Sequence, residues 1–406
     1  MELFITKSND PIAVTSPFGR LCNRVSCLIA VVILMTVTTS VARAQQVPGK
    51  EHQVGPDGMS AVFSFYNTSP ESPDGKTLVY VRCKKEPYGR EEFVPGELWV
   101  CDRDLKNHRK LTDINGTVAH NGVEAQWIDN KRIAFFDKGR IRIVDAQSGK
   151  DLLTKKITGA GLGHYPYENK IMYNIYSGEG DGAPGIYELD CNTFETKRIL
   201  TNTEIAKVPL PANLPAEKIA AVKDWRALHC QYSPDGKKIA FRLDVGPFEE
   251  DQLQGICNRD GSGLKIMTQT LHSIWYDNGS MIGHLRYEKD GKKPEDLKQR
   301  FTLVRVDLDG NMLQRNMTPR GNHLGVSPDR KWFASETFYQ TNPVVFKLYP
   351  NGHPEKAIEI ARYNPYDVVW KRRFHVNPAF SRDGKRLYYS RPLNEKYAGI
   401  FYYEIK

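Results

Sequence analysis

The chain is poor in cysteine, with seven in 406 residues and no C-x-x-C pair. That scarcity argues against a disulfide framework or a redox motif. Two of the seven, Cys22 and Cys27, lie near the N-terminus. Cys83, Cys101, Cys191, Cys230 and Cys257 then form an odd set, in which only a Cys83–Cys101 pairing is left open. Long apolar runs are also missing: the stretch Cys27 to Val37 is too short to span a bilayer. No basic run with interleaved aromatics occurs, so nucleic acid is not an expected partner. There is no Gly-x-Ser-x-Gly elbow, which argues against a serine peptidase. Asp307 to Asn311 and Asn258 to Gly263 have turn chemistry but lack the downstream glutamate of a calcium loop.

What is present begins with a targeting segment. Arg20 and Arg24 precede the short apolar run, and Val41-Ala42-Arg43-Ala44 supplies small residues before Gln45. Residues 1–44 therefore read as a signal peptide, and 45–406 as a mature chain that is periplasmic or secreted, with no membrane association after cleavage. The formal charge is +9; the segment removes four cations and two anions, leaving +7. A basic surface suits an anionic small substrate or polysaccharide.

The mature chain is punctuated by a recurring turn. Ser233-Pro234-Asp235-Gly236 precedes the apolar strand Ile239-Ala240-Phe241, and related turns begin at Ser72, Trp127, Tyr167, Trp275, Ser327 and Ser381. Proline pre-sets φ, aspartate bonds the local backbone and glycine supplies the left-handed position. A single hairpin cannot bury its own faces. Seven copies at roughly 40–65-residue spacing predict an all-β, seven-bladed β-propeller forming one domain. Gln45 to Gly58 reads as a lead-in, and Ser60 to Phe65 as the strand that closes the ring on the last blade. Two insertions, Val208 to Val222 (with a short helix from Ala216) and Tyr287 to Arg300, are placed at the rim of one mouth.

Four residues before Ser233, Tyr276 and Ser327, blades four, five and six carry His229, His272 and His323. The last blade has Asn377 there, with His375 two residues earlier and so on the same strand face. In the worn third blade His164 lies near this offset. The strand before the turn is the innermost of a propeller blade, so equivalent positions ring the central channel. Imidazoles gathered there can bind a borderline divalent metal or act as a base near neutral pH.

These segments resemble the oligogalacturonate lyases, seven-bladed propellers that cleave short pectin fragments. Leu228-His229-Cys230-Gln231-Tyr232 is similar to the segment carrying the family's histidine base. Thr270-Leu271-His272-Ser273-Ile274-Trp275 resembles its Thr-His-Glu-x-Trp segment, whose histidine binds manganese. Asn322-His323-Leu324-Gly325-Val326-Ser327 matches the following blade, and His375-Val376-Asn377-Pro378 resembles a His-Pro-His-Pro segment. The resemblance implies His229 as base, and His272, His375, Asn377 and His323 around a divalent metal, Mn2+ in the family. Two family ligands are changed: Arg372 stands where the family has glutamine, and Asn377 where it has histidine. Arg372 cannot ligate, but with Arg226 and Arg373 it is a candidate for binding a uronate carboxylate bidentately. The implied reaction is β-elimination on an anionic uronate oligosaccharide. The alternative is a non-catalytic, exported TolB-like propeller binding a protein or glycan, since TolB blades share these turns.

Overall fold

In this computed structural model, residues 49–406 are described except 56–57, 85–92, 119–120, 158, 177–181, 212–213, 215, 247–250, 339–340 and 367–374. The predicted signal segment thus lies outside the described residues. The rest falls within one compact unit, Ala44–Lys406, built as seven four-stranded antiparallel sheets. Their innermost strands are Ala61–Val62, Gln126–Trp127, Ala160–Leu162, Arg226–Tyr232, Thr270–Asp277, Leu324–Val326 and Ala379–Phe380. The seven-bladed propeller is therefore present, one blade to each predicted turn.

The turn works by a repeated hydrogen-bond set. Ser233 Oγ donates to Asp235 Oδ1 at 2.7 Å and accepts from the Lys238 N–H at 2.9 Å, with Gly236 at φ +67°. Ser72, Ser327 and Ser381 make the same 2.7 Å bond to Asp74, Asp329 and Asp383. In blade six the left-handed position is held by Arg330, φ +63°. Its guanidinium stays close by, donating to the Tyr276 carbonyl of the preceding blade at 2.7 Å. The worn turn of blade three uses Glu168 and Asn169, both left-handed, as a two-residue hairpin loop.

Apolar seams between neighbouring sheets form the core. Met172 and Ile186 of blade three pack with Tyr232, Ile239 and Phe241 of blade four, and Trp225 is fully buried among them.

Ring closure differs from the sequence reading. Ala61–Val62 opens blade one, and it is Glu51–Gln53, inside the presumed lead-in, that closes the ring. It pairs antiparallel with Ala398–Glu404 as the outermost strand of blade seven. The pattern Glu-His-Gln hides this strand because its residues are only partly buried. Glu51 supplies side-chain anchors: it accepts from Arg391 at 2.6 and 2.8 Å and from the Tyr389 hydroxyl. Glu51→Ala is expected to cost about 1–3 kcal/mol, the range for losing charged hydrogen bonds that leave a buried hydroxyl unmet. The denaturant midpoint checks this, and Glu51→Gln should recover part of the loss.

Cys83 and Cys101 are both buried. Cys83 faces Gly96 and Cys101 faces Leu78 across the same strand pair, so they stand at opposite ends of it. Five residues at ~3.3 Å each is far beyond the reach of a disulfide. The short helix Ala216–Ala220 is present in the first insertion. A second, Asn202–Ile205, is fixed by a Thr201–Glu204 capping box that the sequence reading passed over.

Candidate functional site

Three of the register positions share an unusual backbone. In blade four the pairing slips between Leu228 and Gln231, and His229 sits at φ +52°. In blade five it slips between Leu271 and Ile274, with His272 also at +52°. Asn377 has φ +48° just before the innermost strand of blade seven. A bulge adds a residue to one strand and re-aims a side chain, and a left-handed conformation at a non-glycine residue costs roughly 1–2 kcal/mol. The same strain at one position in three blades marks a place where side-chain direction matters more than stability.

Five imidazole rings form a continuous chain. Ring centroids are 5.0 Å apart for His164–His229, 6.1 Å for His229–His272, 4.9 Å for His272–His323 and 4.6 Å for His323–His375. These contacts cross from blade to blade, which places the histidines on the axis as the register argument required. Tyr66 stands inside the arc, 4.8–5.5 Å from the rings of His164, His229, His272 and His323. It is buried, its hydroxyl has no hydrogen-bond partner, and burial raises its pKa so that the phenol stays protonated. Sequence reasoning missed Tyr66, because it precedes a blade-one register position occupied by Thr68.

Three donors converge at one end of the arc. His323 Nδ1 lies 2.5 Å from Glu336 Oε1, and His375 Nδ1 lies 3.2 Å from His323 Nε2. One ligand atom from each of the three falls within 4.8 Å of the others. Glu336 is buried, its Oε2 has no hydrogen-bond partner among the described residues, and burial pushes its carboxyl up to about 8. An orphaned buried carboxylate oxygen beside two imidazoles fits a divalent cation, whose charge would offset that burial cost. The structure thus brings together His323 and His375 of the predicted ligands and adds Glu336. His272 flanks them through His323; its buried Nδ1 has no partner, and burial holds its pKa well below the usual value. Asn377 is buried two residues from His375. The signal for Glu336 was available: it ends the strand Trp332–Glu336, an otherwise largely apolar run into the blade.

The histidines open onto a cavity of about 740 Å³ that His229, His272, His323 and His375 line together. Its wall is cationic: Arg226, Arg242, Lys138, Arg140 and Lys156 border it, against Glu124 and Asp244. Arg226 is half exposed and 3.8 Å from Asp244. Arg242, unread in the sequence, is more buried and pairs with Asp244 at 2.9 Å. Arg372 and Arg373 lie outside the described residues. Neither insertion contributes to the lining among the described residues.

The histidines also set an acid limit on stability. His284 is buried, bonded through Nδ1 to the Phe301 carbonyl at 3.1 Å, and burial lowers its pKa to about 4. A histidine whose folded pKa is depressed contributes stability above its unfolded pKa, ~6.5, and loses it as pH falls toward the folded value. In metal-free protein, His284→Gln should therefore flatten the fall in unfolding free energy between about pH 6.5 and 4 by roughly 1.4 kcal/mol per pH unit. Urea titrations across that window measure the slope.

No protein-family model matches this chain, and no curated protein matches it by sequence. Solved structures do match. An oligogalacturonate lyase in complex with manganese superposes with TM-score 0.59 at 14% identity, covering 88% of this chain and 93% of that one. An oligogalacturonate lyase from Vibrio parahaemolyticus gives 0.60 at 13%, covering 89% and 95%. The propeller domain of Cps50 (Swd1) from Myceliophteria thermophila gives 0.50 at 10%, covering 86% and 100%. At these identities the likeness is one of fold: the chain is a seven-bladed β-propeller similar in architecture to oligogalacturonate lyases.

Proposed function

We propose that this protein is an exported lyase that cleaves uronate oligosaccharides by β-elimination, with His229 as base and a divalent cation held by His323, Glu336 and His375. The single observation that carries this reading is the cationic cavity into which one arc of histidines opens. The likeness in fold to a manganese-bound lyase supports the same chemistry.

In such an elimination the base takes the proton from C5, a C4–C5 double bond forms, and the C4–oxygen bond breaks. The C5 proton is weakly acidic while the neighbouring carboxylate is charged, so positive charge at that carboxylate must meet the developing enediolate. Arg242 and Arg226 are placed on the cavity wall to bind carboxylates. A divalent ion bound at the His–Glu cluster would add Lewis-acid stabilisation of the same charge. His229 accepts the proton as a neutral imidazole. Its left-handed backbone holds the ring where the cavity wall needs it rather than where a regular strand would.

The test is metal analysis of the purified protein together with an absorbance scan for unsaturated uronate over an oligogalacturonate panel. Product formation that depends on a divalent ion supports the reading. A protein that binds no metal and releases no unsaturated product from any uronate is a binding propeller instead.

A further inference from the structure

His164 is fully buried beside His229 and has no part in the reaction as drawn so far. Its Nε2 lies 2.8 Å from His229 Nδ1, so one proton is shared between two rings from adjacent blades. The surroundings clamp His164 rather than leaving it to adapt. Its N–H donates to the Cys230 carbonyl, next to the His229 bulge, at 2.8 Å. Its carbonyl accepts from Thr68 Oγ1 at 2.7 Å. Phe65 stacks on its ring at 4.9 Å and 9°.

Which ring donates decides what His229 can do. A neutral imidazole has one N–H and one lone pair. If His164 donated, His229 would carry its own proton on Nε2 and have no lone pair there for a substrate. If His229 donates from Nδ1, its Nε2 becomes the basic nitrogen. The second arrangement requires the proton of His164 on Nδ1. That nitrogen is buried without a hydrogen-bond partner in normal geometry. The Tyr66 backbone carbonyl nevertheless favours a proton on this ring, while burial keeps the ring neutral, its pKa lowered to about 3. Because Nε2 faces His229, a proton held toward Tyr66 would sit on Nδ1, the tautomer that leaves Nε2 to accept.

We infer that His164 is a positioning residue for His229: it accepts the Nδ1 proton of His229, fixes the tautomer and ring plane, and leaves Nε2 as the basic nitrogen on the cavity wall. The role of a buried partner that orients a catalytic imidazole is here filled by a neutral ring instead of a carboxylate. Nothing about it draws on the metal cluster. The catalytic consequence rests on the lyase reading; the tautomer does not.

The experiment uses full-length protein labelled with 15N-histidine, with long-range proton–nitrogen correlation spectra of wild type, His164→Leu and His164→Gln. The His229 signals are identified by their loss in His229→Gln. In wild type, His229 should show a protonated Nδ1 and a bare Nε2. His164→Leu should shift it toward the Nε2-protonated form, and His164→Gln, which offers an amide oxygen as acceptor, should restore much of the wild-type pattern. Where elimination is measurable, His164→Leu should lower kcat by ~10–100-fold, the usual cost of losing an orienting partner, with KM little changed. A wild-type His229 protonated on Nε2 overturns the inference, and this needs no variant to fold. So does a His164→Leu protein with wild-type tautomer and kcat. The predicted tautomer in a protein that eliminates nothing would sink the lyase reading and leave the dyad standing.

Discussion

His229→Ala should lower turnover on uronate oligosaccharides by ~10²–10⁴-fold, the usual cost of removing a positioned general base. Substrate and metal should still bind. His229 lines the cavity but is not among the three donors that converge on one point. The variant should also fold, because the bulge at residues 229–230 already breaks the ladder there. Single-turnover kinetics with equilibrium dialysis of substrate separates the steps. Wild-type elimination by His229→Ala on every uronate tested would falsify its role.

The second large effect is expected at Glu336. Glu336→Gln keeps the shape but removes the charge and one anionic ligand from a fully buried site. Loss of an outer-shell partner alone costs ~10–100-fold in metal affinity, so loss of a direct ligand should cost at least that. Metal content after dialysis should fall below one ion per chain. Turnover should return in part at excess divalent ion. His375→Ala should behave alike, whereas His272→Ala should keep most of its metal. The reverse order, with His272→Ala stripped and Glu336→Gln loaded, would centre the ion one blade earlier in the ring.

Most of the architecture was legible because it is written locally. A Ser-Pro-Asp-Gly turn has one conformation that suits it, and seven copies leave few ways to arrange the strands. Even the worn copy at Tyr167–Lys170 could be recognised, since Glu168 and Asn169 tolerate the left-handed backbone a two-residue loop requires. The histidine arc was legible for the same reason, as a fixed distance from each turn. What an offset from the turn does not select went unread. Glu336 and Arg242 sit on second strands, where no offset rule selects them. Tyr66 lies between the short strand Ala61–Val62 and the Ser72 turn, two residues before the blade-one register position, so the offset passes it by. The closing strand Glu51–Gln53 has no apolar pattern at all, and its place is set by Arg391 and Tyr389 far along the chain.

That closing strand bears on the order in which the molecule assembles. Glu51 pairs with Tyr403, so the first strand among the described residues has no partner until a segment about 350 residues further along is in place. Blades one to six each contain their own four strands and can form as the chain emerges. Blade seven cannot be completed until Ala398–Glu404 has been made, and a contact of such sequence separation is slow to find. Until then the outer edge of Ala398–Glu404 is an open template for a second copy. A nascent or stalled chain therefore exposes an edge that the finished ring covers. A peptide bearing the Glu51–Gln53 segment, supplied in trans during refolding, would compete for that edge.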